Sequence, residues 1–262
     1  MIERCGKADE KTIFDYIGKD YGKCAYLYID LKKYGFDNEH VSVWKSIDNA
    51  QRTLDGIVLQ YYNGMHVFSR ENRFDPEPVA ALISERKPAL VCGMKEILDR
   101  LAPLVAEEYE SEEGKVLRLG DYTGIYNPEV KNVKREELEA VVKLLMTDEE
   151  MGGPYTFELL YNQFVERFDT GFGRNWARWD DKGVVSHCAT YAELDDIAVI
   201  SGGIVREDYR GKGQYPGQLG AMCKVLHEEG KEVISYYYGG AKSAHKAVGF
   251  EILGDWKKLI RK

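Results

Sequence analysis

Val205-Arg-Glu-Asp-Tyr-Arg210-Gly211-Lys212-Gly213-Gln214-Tyr215-Pro216-Gly217 joins a run of strand character, residues 197–205, to a helical pattern. Glycines at 211 and 213 let the backbone turn with successive N–H groups facing one way, and the helix that follows adds the positive end of its dipole. Pro216 falls in the first helical turn, where its missing N–H costs no ladder bond. The segment predicts an anion site suited to a pyrophosphate. Two other phosphate loops are excluded by single positions. A Walker loop needs glycine at 206 and Ser or Thr after Lys212, but those places hold Arg206 and Gly213. A dinucleotide GxGxxG needs glycine at 216, which is proline.

The elements around this loop follow from periodicity. Residues 134–146 place Leu138, Val141, Val142 and Leu145 at helical spacing, and residues 156–168 read as a second helix. Three strand-like runs come next, at 174–179, 184–191 and 197–205, with turns at 180–183 and 193–196. After the loop, a helix over 215–229 stops at Gly230, a suitable left-handed C′ residue. Residues 233–237 read as a strand, 241–248 as a helix, and Phe250 opens a last strand. The order is α, α, three antiparallel strands, α, β, α, β.

The first half reads as mixed α and β. A short helix is expected at 13–21, strands at 24–30 and 40–44, and a hairpin of 56–62 with 65–68 about Asn63-Gly64. A helix with proline in its first turn follows at 78–85. Residues 88–92 read as a buried strand running into a helical pattern over 95–109, and 115–119 as a further strand. Residues 120–132 are rich in turn formers and form a seam. Two domains are expected, 1–124 and 125–262.

Composition bounds the class. With 262 residues and 44% apolar content the chain can build one large core or two moderate ones. A net charge of −8 argues against wrapping nucleic acid, which neutralises phosphates with basic side chains. No apolar run reaches bilayer length, and the charged N-terminus lacks a signal-peptide core. Cysteines 5, 24, 92, 188 and 223 form no CxxC pair and no metal spacing, as in a reduced cytoplasm. A cytoplasmic protein without a metal and without membrane or nucleic-acid partners is expected.

Arg210-Gly211-Lys212-Gly213 resembles the pyrophosphate signature R/Q-x-x-G-x-G/A of the GNAT superfamily of acyl-CoA-dependent N-acyltransferases. A second landmark, His245-Lys-Ala-Val-Gly249-Phe250, looks like that family's Y-x-x-x-G-F with histidine in the tyrosine place. The likeness covers roughly residues 134–260, and the first half reads as a diverged version without a cofactor loop. It implies an α/β (α+β) fold: a mixed, mostly antiparallel sheet flanked by helices, GNAT-like, in two related halves. Three places depart from the pattern. Gln214 stands in the usually aliphatic fifth place, Tyr215 in the Gly/Ala sixth place, and Tyr238 in the place of an asparagine often found before the second motif.

The resemblance also implies a mechanism. Acetyl-CoA or another acyl-CoA is the donor, and its pyrophosphate lies on Arg210, Gly211, Lys212, Gly213, Gln214 and Tyr215. Its pantetheine arm bonds the backbone near Ile204, Val205 and Arg206. A primary amine, of a small molecule or a protein, attacks the thioester directly, and His245 is the candidate acid for the leaving sulfur. No base is identified: Glu193, Asp195 and Asp196 read as a solvated turn, and His187 as a half-buried strand residue. Arg206 and Lys212 are candidate phosphate contacts or surface charge. A catalytically silent acyl-CoA-binding or scaffold protein is the alternative. A third reading, an aminoacyl transferase using charged transfer RNA, is disfavoured by the acidic balance and the CoA-type loop. Oligomeric state, a homodimer included, is open at this level.

Overall fold

A computed structural model describes residues 1–48, 50–149, 151–153, 155–237 and 242–262. They form two compact units, Met1–Val116 with Ile252–Lys262, and Leu117–Glu251. In chain order the first ten elements are β1 (Ile2–Arg4), α1 (Glu10–Ile17), α2 (Ala25–Tyr34), β2 (Val41–Ile47), β3 (Leu54–Tyr61), β4 (Gly64–Phe68), α3 (Pro76–Arg86), β5 (Leu90–Met94), α4 (Lys95–Leu101) and β6 (Tyr109–Leu119). The next ten are β7 (Lys131–Asn132), α5 (Leu138–Leu145), α6 (Phe157–Asp169), β8 (Asn175–Asp180), β9 (Gly183–Glu193), β10 (Ile197–Val205), α7 (Gln214–Glu228), β11 (Glu232–Tyr237), α8 (Lys242–Val248) and β12 (Phe250–Arg261). The second series repeats the first element for element.

In the first unit the strand neighbours run β1-β2-β3-β4-β5-β12. The pairs are antiparallel except β4 with β5. In the second unit the order is β11-β10-β9-β8-β7, antiparallel except β10 with β11. A βαβ crossover forces each parallel pair, α3 in one unit and α7 in the other. The mixed, mostly antiparallel sheet with flanking helices matches the expected class. The units differ from the expected halves 1–124 and 125–262 because β12 leaves the second unit at Glu251 and pairs with β5 in the first.

In the second unit, alternation along the strands separates two cores. Trp176, Cys188, Ala198 and Ile200 pack with Leu219, Met222, Cys223 and Leu226 of α7. On the opposite face Ala177, Val184 and Ile204 meet α5 and α6 through Val141, Leu145, Leu160 and Phe164. Trp176 and Trp179 fall on opposite faces, as their spacing predicts.

Three expectations in the first half are corrected. Residues 24–30, read as a strand, lie in the 3-10 turn and helix α2. Ala25, Leu27, Tyr28, Ile29 and Leu31 are all buried, so the helical period is masked by burial on nearly every side. Gly35, at φ +70, ends this helix with its N–H on the Leu31 carbonyl. The helical pattern over 95–109 ends at Leu104, since Pro103 confines the chain to a 3-10 turn before Tyr109 opens β6. The hairpin forms one residue earlier than Asn63-Gly64 suggests: Tyr62 and Asn63 make the turn, and Gly64 pairs with Tyr61.

Candidate functional site

The site is built where β10 and β11 part. Their parallel pairing runs from Ile197↔Glu232 to Ile200↔Ser235 and stops there, while β10 continues to Val205 paired only with β9. Gly202, at φ +65, marks a register shift between Ser201 and Ile204 that re-aims the open length of β10. The bulge is held from below by His187, fully buried rather than half-buried as expected. Its Nδ1 lies 2.8 Å from the Gly202 carbonyl and its Nε2 2.9 Å from the Asn175 amide. Burial keeps this imidazole neutral, its pKa pushed down to about 4.

Past β10 the chain enters the glycine loop. Gly211 and Gly213 both adopt left-handed φ, +73 and +69, where a side chain would be strained. A Cβ at either glycine would meet open space, so the loop's concave side is accessible. Among the described residues none accepts a hydrogen bond from the N–H of Gly211, Lys212 or Gly213. These donors and the first N–H groups of the 15-residue α7 are available to an anion.

The basic residues divide by partner. Arg206 is committed to the protein: its guanidinium spans Asp180 (2.5 and 3.0 Å) and Asp208 (2.8 Å), and it holds both carboxyls below the usual range. Its N–H donates to Val185, continuing the β9 pairing. Arg210 folds back, donating from Nε to the Val205 carbonyl (2.9 Å) and from Nη2 to Asp148 (3.2 Å), which ties the loop to the strand end. Lys212 donates to the Asp208 carbonyl at 2.6 Å and lies 5.3 Å from the centre of the Tyr209 ring, which Arg178 and Arg206 also approach. Gln214 accepts from Arg178 at 3.2 Å, and its amide nitrogen faces the Lys212 carbonyl at 3.5 Å.

His245, on α8, is buried, and its Nε2 lies 3.1 Å from the Ser235 hydroxyl, at the last paired position before the strands part. Its ring meets those of Tyr215 (6.3 Å), Tyr237 (5.9 Å) and Phe250 (5.1 Å). Tyr215 projects toward β10, and its hydroxyl lies against Gly203. Ile204 faces the α5–α6 core, so it can offer only backbone groups to the opening. Of the acidic trio, Asp195 and Asp196 are exposed as expected. Glu193 is instead buried in an ion cluster with Arg174 and Lys231 and a hydrogen bond from Thr190. Tyr238, the third departure, and Ala241, the expected start of α8, lie outside the described residues.

Ser235, Gly203, Tyr209 and Asp180 were not singled out from sequence. Paired glycines inside a strand, Gly202-Gly203, were the available signal, since they mark a bulge or a close approach. The first unit has no counterpart of the loop: the connection from β4 to α3, residues 69–75, contains no glycine.

A strand pair that parts above a glycine loop at a helix start, repeated as an element series without the loop, settles the comparison. The chain has a GNAT-like fold. An acetyltransferase of the GNAT family from Colwellia psychrerythraea aligns over 100% of this chain and 99% of its own, with TM-score 0.60 and 13% identity. A GNAT-type N-acetyltransferase from Sphaerobacter thermophilus covers 100% and 95% at TM-score 0.64 and 15% identity. A tandem GNAT protein from the clavulanic acid biosynthesis pathway covers 100% and 98% at TM-score 0.57 and 11% identity. No family model and no curated protein matches the sequence. Among the described residues, no group of His, Cys, Asp or Glu is arranged to hold a metal, and no helix is long and apolar enough to cross a membrane.

Proposed function

We propose that the second unit binds an acyl-CoA along the open length of β10 and transfers the acyl group to a primary amine of a small molecule or a protein. The observation that carries this reading is the end of the β10–β11 pairing at Ile200↔Ser235, beside a left-handed glycine loop that opens α7. Loop N–H groups of Gly211, Lys212 and Gly213 receive the pyrophosphate, with the α7 dipole behind them. Arg210 fixes the loop to Val205, so phosphate and strand are held in one frame. Backbone groups of residues 201–205 that lack a β11 partner pair with the amide arm.

Transfer forms an N–C bond and breaks the C–S bond; the amine gives up one proton and the thiolate takes one. In this reading His245, whose Nε2 lies 3.1 Å from the Ser235 hydroxyl at the point of parting, supplies the thiolate's proton. Alignment of amine and thioester accounts for much of the gain, roughly 7–11 kcal/mol when geometry is ideal. None of the five cysteines forms a disulfide and all are buried, which suits a reducing cytoplasm.

A second reading, a silent acyl-CoA binder or scaffold, is favoured by one observation: the Tyr215 ring stands at the opening. Calorimetry with acetyl-CoA tests the binding shared by both. Wild type is expected to bind at micromolar concentration, about −8 kcal/mol. Gly211→Ala/Gly213→Ala should weaken binding by roughly 10- to 100-fold, because alanine resists left-handed φ. Absence of binding to acetyl-CoA and to longer acyl-CoAs sinks the transferase and the acyl-CoA binder and leaves the scaffold. Turnover with a panel of amines separates the enzyme from the silent binder.

A further inference from the structure

Tyr215 occupies the space that the parting strands leave. β10 and β11 separate after Ile200↔Ser235, and the Tyr215 hydroxyl rests on Gly203 of β10, on the open side of that point. The Tyr215 ring meets the edge of His245, and His245 meets Tyr237 of β11. A row of rings therefore runs from one strand lip to the other. Gly203 is matched to this arrangement. Its φ is outside the left-handed region, so the backbone does not demand glycine there. Any Cβ at 203 would instead collide with the tyrosine, lying 2.6 Å from its Cζ.

We infer that Tyr215 is a specificity-determining residue of this cleft. The ring stands where the acyl-bearing arm of the donor would lie, so the arm must displace it while the phosphate end binds without moving it. The inference rests on the acyl-CoA reading above. Two features confine the cost of displacement to the ring's own packing against the core and His245. Among the described residues no group shares a hydrogen bond with the Tyr215 hydroxyl, so no such bond is lost when the ring leaves. Tyr215 also lies in the first turn of α7, with no preceding helical turn to block alternative χ1 rotamers. Only a donor whose arm replaces the ring's packing recovers the cost of moving it.

The test is calorimetry with two probes, acetyl-CoA and adenosine 3′,5′-bisphosphate, which lacks the arm. Wild type, Tyr215→Phe, Tyr215→Ala and Tyr215→Ser are compared, with melting curves to confirm that each is folded; Ala and Ser guard against failure of either alone. Tyr215→Ala and Tyr215→Ser should bind acetyl-CoA about tenfold more tightly than wild type, with bisphosphate affinity unchanged, and Tyr215→Phe should match wild type. If the small variants gain nothing for acetyl-CoA while every protein binds the bisphosphate, the role given to Tyr215 is wrong and the phosphate loop stands. If no protein binds either probe, the acyl-CoA reading falls and takes this inference with it.

Discussion

His187 has both ring nitrogens within hydrogen-bond distance of protein groups and none of its surface in water. The Phe164 ring lies against it, and no carboxylate is among its hydrogen-bond partners. Its folded pKa is about 4, against 6.5 for a free imidazole. The unfolded chain therefore takes up the proton first, so stability is full above pH 6.5 and falls as pH drops from 6.5 toward 4. Denaturant titrations at pH 7.5 and 4.5 should show His187→Gln losing roughly 2–3 kcal/mol less than wild type over that interval. Asp30 in the first unit has the opposite sign. Burial lifts its carboxyl from 3.8 to about 7, with Lys33 only partly opposing the shift. The folded state keeps the proton that the unfolded state releases, so stability declines as pH rises from 3.8 to 7. Asp30→Asn should be near neutral at pH 4 and stabilising at pH 8, on the order of 2–4 kcal/mol. A variant no more stable than wild type at pH 8 would mean that Asp30 is solvated.

At the scale of elements, α7 is shaped by what crosses it. Residues 121–127 lie along its Gly217 and Gly220 side: Asn127 donates to the Gly217 carbonyl at 3.0 Å and Tyr122 to the Gly220 carbonyl at 3.1 Å. A methyl at 220 would collide with the Ile125 carbonyl. Alanine is the better helix former by about 1 kcal/mol, but overpacking costs about 1–3 kcal/mol. Gly220→Ala should thus lower the urea midpoint; a raised midpoint would show that the strap does not pack there. This strap is the segment that sequence reading could describe only as a seam, because its order comes from carbonyls fitted to glycines and has no period. The second unit was legible for the converse reason: α5, α6 and α7 each carry one apolar side, and β8–β10 alternate between two cores. Helix α2 has the sequence pattern of a strand because its burial hides the helical period. The glycine loop was found from its residues, whereas Ser235 beside His245, and Gly203 beneath Tyr215, are contacts made only by folding.

For the molecule as a whole, the repeated element series pairs a unit with the loop and one without it, and the chemistry proposed here uses the loop of the second unit. The division also predicts an asymmetric response to truncation. Residues 252–262 supply a strand that pairs with β5 from Trp256↔Met94 to Ile260↔Leu90 and buries Trp256 and Leu259. A chain ending at Glu251 should keep the protection of β8–β11 in hydrogen exchange and lose that of β4 and β5. Equal loss in both units would contradict the division. The same strand sets the order in which the protein matures on the ribosome. Residues 1–116 are made before residues 252–262 and must wait, with one sheet edge unsatisfied, until that strand follows. The first unit is thus completed only after the second has been made, and during that interval its β5 edge is open to pairing with a neighbouring nascent chain.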